Sequence, residues 1–117
     1  MNKIYYLSSC STCSRILQET QAEEKGFTLQ DIKTEKITAA QLDALKEKAG
    51  SYEALFSRRA LKYKEMGLKD KTLTEKDYRR LILEEYTFLK RPVVLSGNKI
   101  FVGSDAKTVD GLKKEIG

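Results

Sequence analysis

Two cysteines, Cys10 and Cys13, lie near the amino terminus and are the thiols of this chain. The chain has no histidine, which excludes a Ser-His-Asp triad, a Cys-His pair and any metal site with histidine ligands. Two cysteines cannot complete a four-ligand zinc site, so a zinc site would need a second chain. The spacing leaves three interpretations within one chain: a catalytic thiol pair, a structural disulfide or two inert cysteines.

The expected positions of the two thiols favour redox chemistry. Cys10 falls between a predicted strand and a predicted helix, where the unpaired N–H groups and the dipole of the helix stabilise a thiolate. Cys13 lies one turn further along and shares a helix face with Ile16 and Leu17, so we expect it to be less exposed. An exposed thiol beside a half-buried one suits attack by the first and resolution by the second into a disulfide.

With no histidine, any further activation of a thiolate must come from lysine or arginine. The candidate arginines are Arg15, Arg58, Arg59 and Arg91. Arg91 differs from the others because it precedes Pro92, the single proline of the chain, at the start of a predicted strand. A residue before proline is usually extended, and the X–Pro bond can be cis.

The elements around the cysteines follow the order of a βαβ unit. Residues 3–7 are predicted to form a buried strand, and residues 12–25 a helix that ends at Gly26. Residues 27–32 alternate apolar and polar side chains, which predicts a second strand. Short connections through a helix make the two strands parallel.

The middle of the chain is predicted to be helical. Thr38 and Gln41 form a capping box before a helix that Gly50 ends. Residues 51–68 are predicted to form one or two short helices, interrupted near Ser57 and ended by Gly67. Thr74 caps a further helix with an apolar stripe at helical spacing. The stripe consists of Tyr78, Leu81, Ile82, Tyr86 and Leu89.

The carboxyl-terminal part returns to strands. Residues 92–103 predict a hairpin that turns at Ser96-Gly97-Asn98, and residues 106–116 predict a helix. Its inward face should hold Val109, Leu112 and Ile116. We therefore expect one α/β domain over residues 1–117, with a thioredoxin-like, four-stranded mixed sheet flanked by helices. A helical insertion should separate strands two and three.

Composition narrows the function classes. The 117 residues are 40% hydrophobic, and 22 basic against 17 acidic residues give a net charge of +5. No apolar run is long enough to cross a bilayer or to form a signal-peptide core, so we expect a cytoplasmic protein without membrane contact. The basic residues are dispersed, so we expect an anionic ligand or an acidic partner and no direct binding of nucleic acid.

Three separated stretches, "SCSTC", "LFSRRALKYKEMGL" and "LKRPVVLSGNKIFVG", resemble the arsenate reductase (ArsC) and Spx family of thioredoxin-like proteins. The resemblance implies that Pro92 is the cis-proline facing the cysteine motif. Cys10 then matches the nucleophilic cysteine of the family, and Cys13 matches the second cysteine of Spx-type members. Arg59, with Arg58 beside it, and Arg91 match the arginines that hold the anion.

Several neighbouring residues complete the expected site, which holds no metal. We expect contributions to substrate binding from Ser11, Thr12, Arg15, Arg58 and Pro92. Glutaredoxin-linked ArsC enzymes carry a third active-site arginine after the hairpin, where this chain has Gly103. On this point the chain is more similar to Spx.

The resemblance leads to three interpretations: an enzyme, a regulator, and a domain whose activity has been lost. The first is an ArsC-type oxidoreductase that acts on an oxyanion or a disulfide, with no bound cofactor. Glutathione with glutaredoxin, or thioredoxin, would then recycle the thiols. The alternative is an Spx-like regulator that binds the α subunit of RNA polymerase and uses the cysteine pair as a redox switch. A thioredoxin-like domain with lapsed activity is the third interpretation.

Overall fold

The computed structural model describes residues 2–116. The chain forms two compact units: a first unit of residues 2–36 and 91–116, and a second unit of residues 37–90. The strands are β1 (Asn2–Tyr6), β2 (Thr28–Asp31), β3 (Val93–Ser96) and β4 (Lys99–Val102). The helices are α1 (Ser11–Thr20), α2 (Ala39–Ala49), α3 (Leu61–Glu65), α4 (Glu75–Glu84) and α5 (Ala106–Ile116). Short 3-10 helices span Glu53–Leu55, Leu68–Asp70 and Tyr86–Phe88.

The first unit contains one sheet in the order β2-β1-β3-β4. β1 and β2 are parallel, with Tyr6 opposite Asp31, whereas β1 pairs with β3 and β3 with β4 in antiparallel fashion. The predicted four-stranded mixed sheet is therefore confirmed, as is the helical insertion between strands two and three. Among the described helices, none is long and apolar enough to cross a membrane.

An apolar core holds the sheet against α1 and α5. Its buried members are Ile4, Ile16, Ala22, Phe27, Val94 and Leu112. Val109 and Ile116 pack against this cluster and are partly buried, so the predicted inward face of the last helix is confirmed. Burial of these side chains supplies the main stabilisation that fixes α1, and with it the cysteines, on the sheet.

The first helix is shorter than the sequence predicts, because it ends at Thr20 and not at residue 25. Gln21 takes a left-handed conformation with φ of 53° and ends the helix. Residues 21–26 then form turns, in which the Phe27 N–H donates to the Ala22 carbonyl at 3.1 Å. These turns direct Ala22 and Phe27 into the core, and that burial outweighs continuation of the helix.

The second unit begins with the predicted capping box. The Gln41 N–H donates to the Thr38 hydroxyl at 3.1 Å, and the Thr38 N–H donates to the Gln41 side-chain oxygen at 3.1 Å. Gly50, with φ of 97°, ends α2 in the left-handed conformation that glycine adopts without strain. Both the start and the end of this helix therefore agree with the sequence.

Phe56 lies at the centre of the second unit. It is fully buried, and its ring packs 4.9 Å from the rings of Tyr78 and Phe88 and 6.1 Å from that of Tyr63. Ser57 follows it, between a 3-10 helix and α3, so the predicted interruption near this residue is confirmed.

The apolar stripe after Thr74 is divided between two elements. Tyr78, Leu81 and Ile82 are buried on α4, as predicted. Tyr86 and Leu89 lie beyond the end of α4, so their assignment to that helix was wrong. Leu89 is nevertheless fully buried, because the chain leaves the helix at Glu85 and returns as a 3-10 turn toward the same core.

Candidate active site

Cys10 is the residue that begins the first helix. Its backbone is extended, with φ of −90° and ψ of 111°, and its N–H donates to the Leu7 carbonyl at 2.9 Å. Its own carbonyl accepts the N–H of Ser14 at 3.1 Å, the first bond of the helix. The thiol is half-buried. The sequence correctly predicts this position, where the first N–H groups of the helix lack partners within the helix.

The surroundings of Cys10 favour its thiolate. Partial burial opposes ionisation, but the N–H and thiol of Cys13, the charge of Arg91 and the N–H of Thr12 outweigh it. These groups lower the pKa of Cys10 below its ordinary value. A lowered pKa increases the fraction of the nucleophilic form at neutral pH.

Cys13 has the opposite character. Its side chain has no exposed surface, which confirms that it is less accessible than Cys10. Burial, followed by the hydrogen bond to Cys10 and the negative charge there, raises the pKa of Cys13 to about 12. The hydrogen bond with the Leu7 backbone, which is the second-largest effect, and the charge of Arg91 lower this pKa, but burial outweighs them. The pair therefore consists of a half-buried thiol with a lowered pKa, hydrogen-bonded to a buried thiol with a raised pKa.

Arg91 and Pro92 lead into β3 and are joined by the predicted cis peptide bond. The Arg91 side chain is half-buried, and its charge reaches both cysteines. The Pro92 carbonyl accepts the N–H of Gly103 at 2.9 Å. Gly103 has φ of 91°, a backbone conformation that favours glycine over arginine at this position.

The remaining candidates of the first unit lie along α1. In its first turn, Ser11 is exposed and Thr12 is half-buried. The backbone N–H of Thr12 hydrogen-bonds to the sulfur of Cys10. Arg15 is exposed one turn later and lines a groove with Ser104. The structure thus gathers Cys10, Cys13, Thr12 and Arg91 around one sulfur, while Arg15 lies further along the helix.

Arg58 and Arg59 belong to the second unit and differ in their partners. Arg58 donates to the Glu53 carboxylate at 2.8 Å and to the Tyr78 hydroxyl at 3.0 Å. The hydrogen bond to Glu53 raises the pKa of Arg58, against partial burial and with help from Tyr78. The Arg59 guanidinium makes no ion pair with any residue between 2 and 116. The backbone N–H of Arg59 donates to the Ser57 hydroxyl at 3.3 Å. Arg59 is therefore the better candidate for an anion, and its part in the site stays a prediction.

Asp31 is a residue that sequence reasoning missed. It ends β2 beside the end of β1, and its carboxylate accepts the Lys33 N–H at 3.1 Å. Hydrogen bonds from Ser8 are the largest cause that lowers the pKa of Asp31, against slight burial. Ser8 lies in the loop that carries Cys10, so Asp31 helps to hold that loop. The sequence signal that could have identified Asp31 is an acidic residue at the end of a strand parallel to β1, because the ends of such strands meet at one edge of the sheet.

Within the described chain, no group of three or more Cys, Asp or Glu side chains is placed to hold a metal ion. The arrangement can instead support nucleophilic attack by a thiolate. An adjacent protonated thiol can then capture the sulfur after the first step. This chemistry needs only the groups named around Cys10.

The sequence resembles known proteins over most of its length. A sequence model of the ArsC family matches residues 5–112. The uncharacterized protein YusI of Bacillus subtilis (strain 168) is 28% identical over 102 residues, which cover 85% of this chain and 86% of that protein.

Solved structures share the fold. An arsenate reductase from Vibrio cholerae has a TM-score of 0.78 at 16% identity and covers 97% of this chain and 96% of its own. A protein from Streptococcus mutans UA159, described as a possible arsenate reductase, has a TM-score of 0.75 at 25% identity and covers 96% and 97%. The predicted thioredoxin-like architecture is confirmed by these likenesses.

Proposed function

The chain belongs to the ArsC family, and on that premise we propose that it is a thiol-based oxidoreductase in which Cys10 attacks the substrate. The observation that carries the proposal is the contrast between the two thiols. Cys10 is half-buried and stabilised as a thiolate, whereas Cys13 is fully buried and holds its proton. The accessible sulfur is also the better nucleophile at neutral pH, which is what an attacking thiol requires.

With an oxyanion such as arsenate, the Cys10 thiolate attacks the central arsenic and a hydroxide leaves as water after protonation. The sulfur of Cys13 or of glutathione then attacks the Cys10 sulfur, and the sulfur–arsenic bond breaks. The bonding electron pair stays on arsenic, which leaves as arsenite. The two sulfurs are oxidised to a disulfide, which glutathione with glutaredoxin, or thioredoxin, reduces.

With a disulfide substrate, the same groups perform thiol–disulfide exchange. Cys10 attacks one sulfur of the substrate and the other leaves as a thiolate. Cys13 then displaces the second sulfur and forms the internal disulfide. The N–H groups of Thr12 and Cys13 and the charge of Arg91 support the thiolate in both reactions.

The roles that we propose for the arginines follow from their chemistry. A guanidinium pairs with a tetrahedral oxyanion through two parallel hydrogen bonds. Arg91 acts on the thiol already and would hold the negative charge of the substrate next to it. Arg59 is the second candidate, since Arg58 is engaged with Glu53 and Tyr78.

The test is the oxidation of NADPH in the presence of arsenate, glutathione, glutaredoxin and glutathione reductase. We expect arsenate-dependent oxidation that is lost in Cys10→Ser, and a strong decrease in Arg59→Ala. Arg79→Ala is a matched control, because Arg79 is bound to Asp43 and has no expected role in catalysis. Equal rates with and without arsenate would remove arsenate as the substrate. Equal exchange rates of wild type and Cys10→Ser with glutathione disulfide would refute the proposal as a whole.

One observation favours a second candidate, an Spx-like regulator. Gly103 occupies the place where glutaredoxin-linked enzymes have their third arginine, and its positive φ is unfavourable for an arginine. A pull-down with the α subunit of RNA polymerase tests this candidate. Redox-dependent retention of the α subunit by wild type, together with absent arsenate reduction, would support the regulator over the enzyme.

A further inference from the structure

One segment of the second unit, residues 61–71, exposes large apolar side chains. It contains α3 and the 3-10 helix Leu68–Asp70, and no residue of α3 is buried. Leu61 is 79% exposed and Met66 is 43% exposed, and among residues 2–116 these are the two large apolar side chains that are exposed. Single exposed apolar residues are normal on protein surfaces, whereas grouped ones with a polar rim mark interaction sites. We call residues 61–71 the α3 surface.

The α3 surface is anchored to the core of the second unit. Ala60, directly before the helix, and Leu68, directly after it, are both buried. Tyr63 is half-buried, and its ring centre lies 6.1 Å from that of the buried Phe56. The backbone of the segment is therefore ordered before any partner binds. A partner that docks on it has a small conformational entropy cost to overcome on this side of the interface.

The anchoring by Tyr63 directs the two apolar side chains outward. Each residue of an α-helix turns by about 100°, so Leu61 lies about 160° around the helix from Tyr63. The Met66 N–H donates to the Lys62 carbonyl at 2.9 Å, so Met66 continues the same helical turn. Lys62 and Glu65 lie between Leu61 and Met66 and form an ion pair at 3.5 Å. The outward face thus presents two apolar side chains around a pair of opposite charges.

The remaining charges of the α3 surface are mainly positive. Residues 61–71 contain four lysines and two acidic residues. Three of the lysines are exposed and make no ion pair with any residue between 2 and 116, namely Lys64, Lys69 and Lys71. Exposed cations beside exposed apolar groups complement a partner surface that presents carboxylates together with apolar side chains.

We propose that the α3 surface docks a partner protein through an acidic segment that also carries apolar side chains. Leu61 and Met66 contact those apolar side chains, and the three lysines pair with the carboxylates. A second copy of this chain fits less well, because it would bring the same lysines together and like charges repel. A nucleic acid would pair with the lysines but offers phosphates to Leu61. The inference goes beyond the proposed function and does not depend on it.

The test is a titration of the full ¹⁵N-labelled chain with a synthetic helical peptide, followed by two-dimensional ¹H–¹⁵N NMR. The peptide carries a stripe of leucines flanked by glutamates. We expect the largest shifts at the amides of residues 61–71. Leu61→Ser should weaken binding at least about fivefold, and Leu61→Met should retain most of it. Lys64→Gln should weaken binding about two- to threefold. Lys107→Gln, at an exposed lysine of α5, is the matched control and should leave the affinity unchanged.

Probes that lack one feature distinguish the possible occupants. The same peptide with glutamine in place of leucine should bind at least about fivefold more weakly. If that peptide or a DNA duplex binds the α3 surface as tightly as the parent peptide, the surface recognises charge alone and the proposal is overturned. It is also overturned if the parent peptide causes no shifts there, or if sedimentation finds a wild-type dimer that Leu61→Ser dissociates. Urea unfolding of Leu61→Ser should match wild type, because the side chain is exposed, so weaker binding cannot come from unfolding.

Discussion

Alkylation of the two cysteines at neutral pH should be strongly unequal. A thiol with a pKa of about 12, as for Cys13, is ionised in about one molecule in 100,000 at pH 7. Cys10 has a pKa below the ordinary value of 9.0, so at least about 1% of it is thiolate. The populations of the two thiolates therefore differ by at least about a thousandfold.

The rate ratio is smaller than the population ratio, because a more basic thiolate is more nucleophilic. With a Brønsted coefficient of about 0.4–0.5, a difference of three pKa units makes the Cys13 thiolate about 15–30 times more reactive than the Cys10 thiolate. Cys10 should thus react at least about 30–60 times faster, and the full burial of Cys13 increases the ratio further.

The assay is limiting iodoacetamide on the reduced protein at pH 7, followed by mass spectrometry. Both cysteines lie in the tryptic peptide of residues 4–15, so fragment ions must locate the label. In Cys10→Ser, Cys13 should stay slow, because burial is the largest cause of its raised pKa. Equal labelling of the two cysteines, or faster labelling of Cys13, would refute the reasoning.

Three further predictions concern charge and packing. Arg91→Ala should shift alkylation of Cys10 to higher pH, because the cation that favours the thiolate is lost, and Arg91→Lys should retain much of the effect. Leu112→Ala should lower the free energy of unfolding in urea by about 2–5 kcal/mol, because the side chain is 2% exposed. Leu61→Ala, at 79% exposure, should change it by less than about 0.5 kcal/mol. Hydrogen bonds from Arg79 and then Tyr52 lower the pKa of Asp43 to about 2. Its stabilising contribution is complete above about pH 5 and is lost as the pH falls toward 2, so Asp43→Asn should flatten thermal stability against pH in that window.

For each of these three predictions, one result would contradict it. An unchanged pH profile in Arg91→Ala would show that the arginine does not act on the thiol. Similar losses of stability in the two leucine variants would contradict the assigned core. A pH dependence in Asp43→Asn as steep as in wild type would mean that other carboxylates dominate acid unfolding.

Local sequence signals were sufficient to predict the structure where a single residue determines the backbone conformation. The capping box at Thr38, the glycine ending at Gly50 and the strand entry at Pro92 depend on neighbours in sequence, and all three were predicted. The position of Cys10 at the start of α1 was equally accessible, because a short buried strand and a helical pattern bracket it.

The features that the sequence did not predict depend on contacts in the tertiary structure. The end of α1 at Thr20 depends on Ala22 and Phe27 entering the core, and the apolar pattern there also fits a longer helix. The burial of Leu89 beyond α4 is likewise set by the returning chain. Arg58 and Arg59 are adjacent and chemically equal in sequence, and only the positions of Glu53 and Tyr78 distinguish them.

The most direct test of the central claim, that Cys10 attacks and Cys13 resolves, is the fate of each sulfur after reaction with glutathione disulfide. Mass spectrometry should find a glutathione adduct on Cys10 in Cys13→Ser, and an internal disulfide with release of two glutathione molecules in wild type. Cys10→Ser should acquire no adduct, because Cys13 is buried and protonated. An adduct on Cys13 in that variant, or none on Cys10 in Cys13→Ser, would contradict the claim.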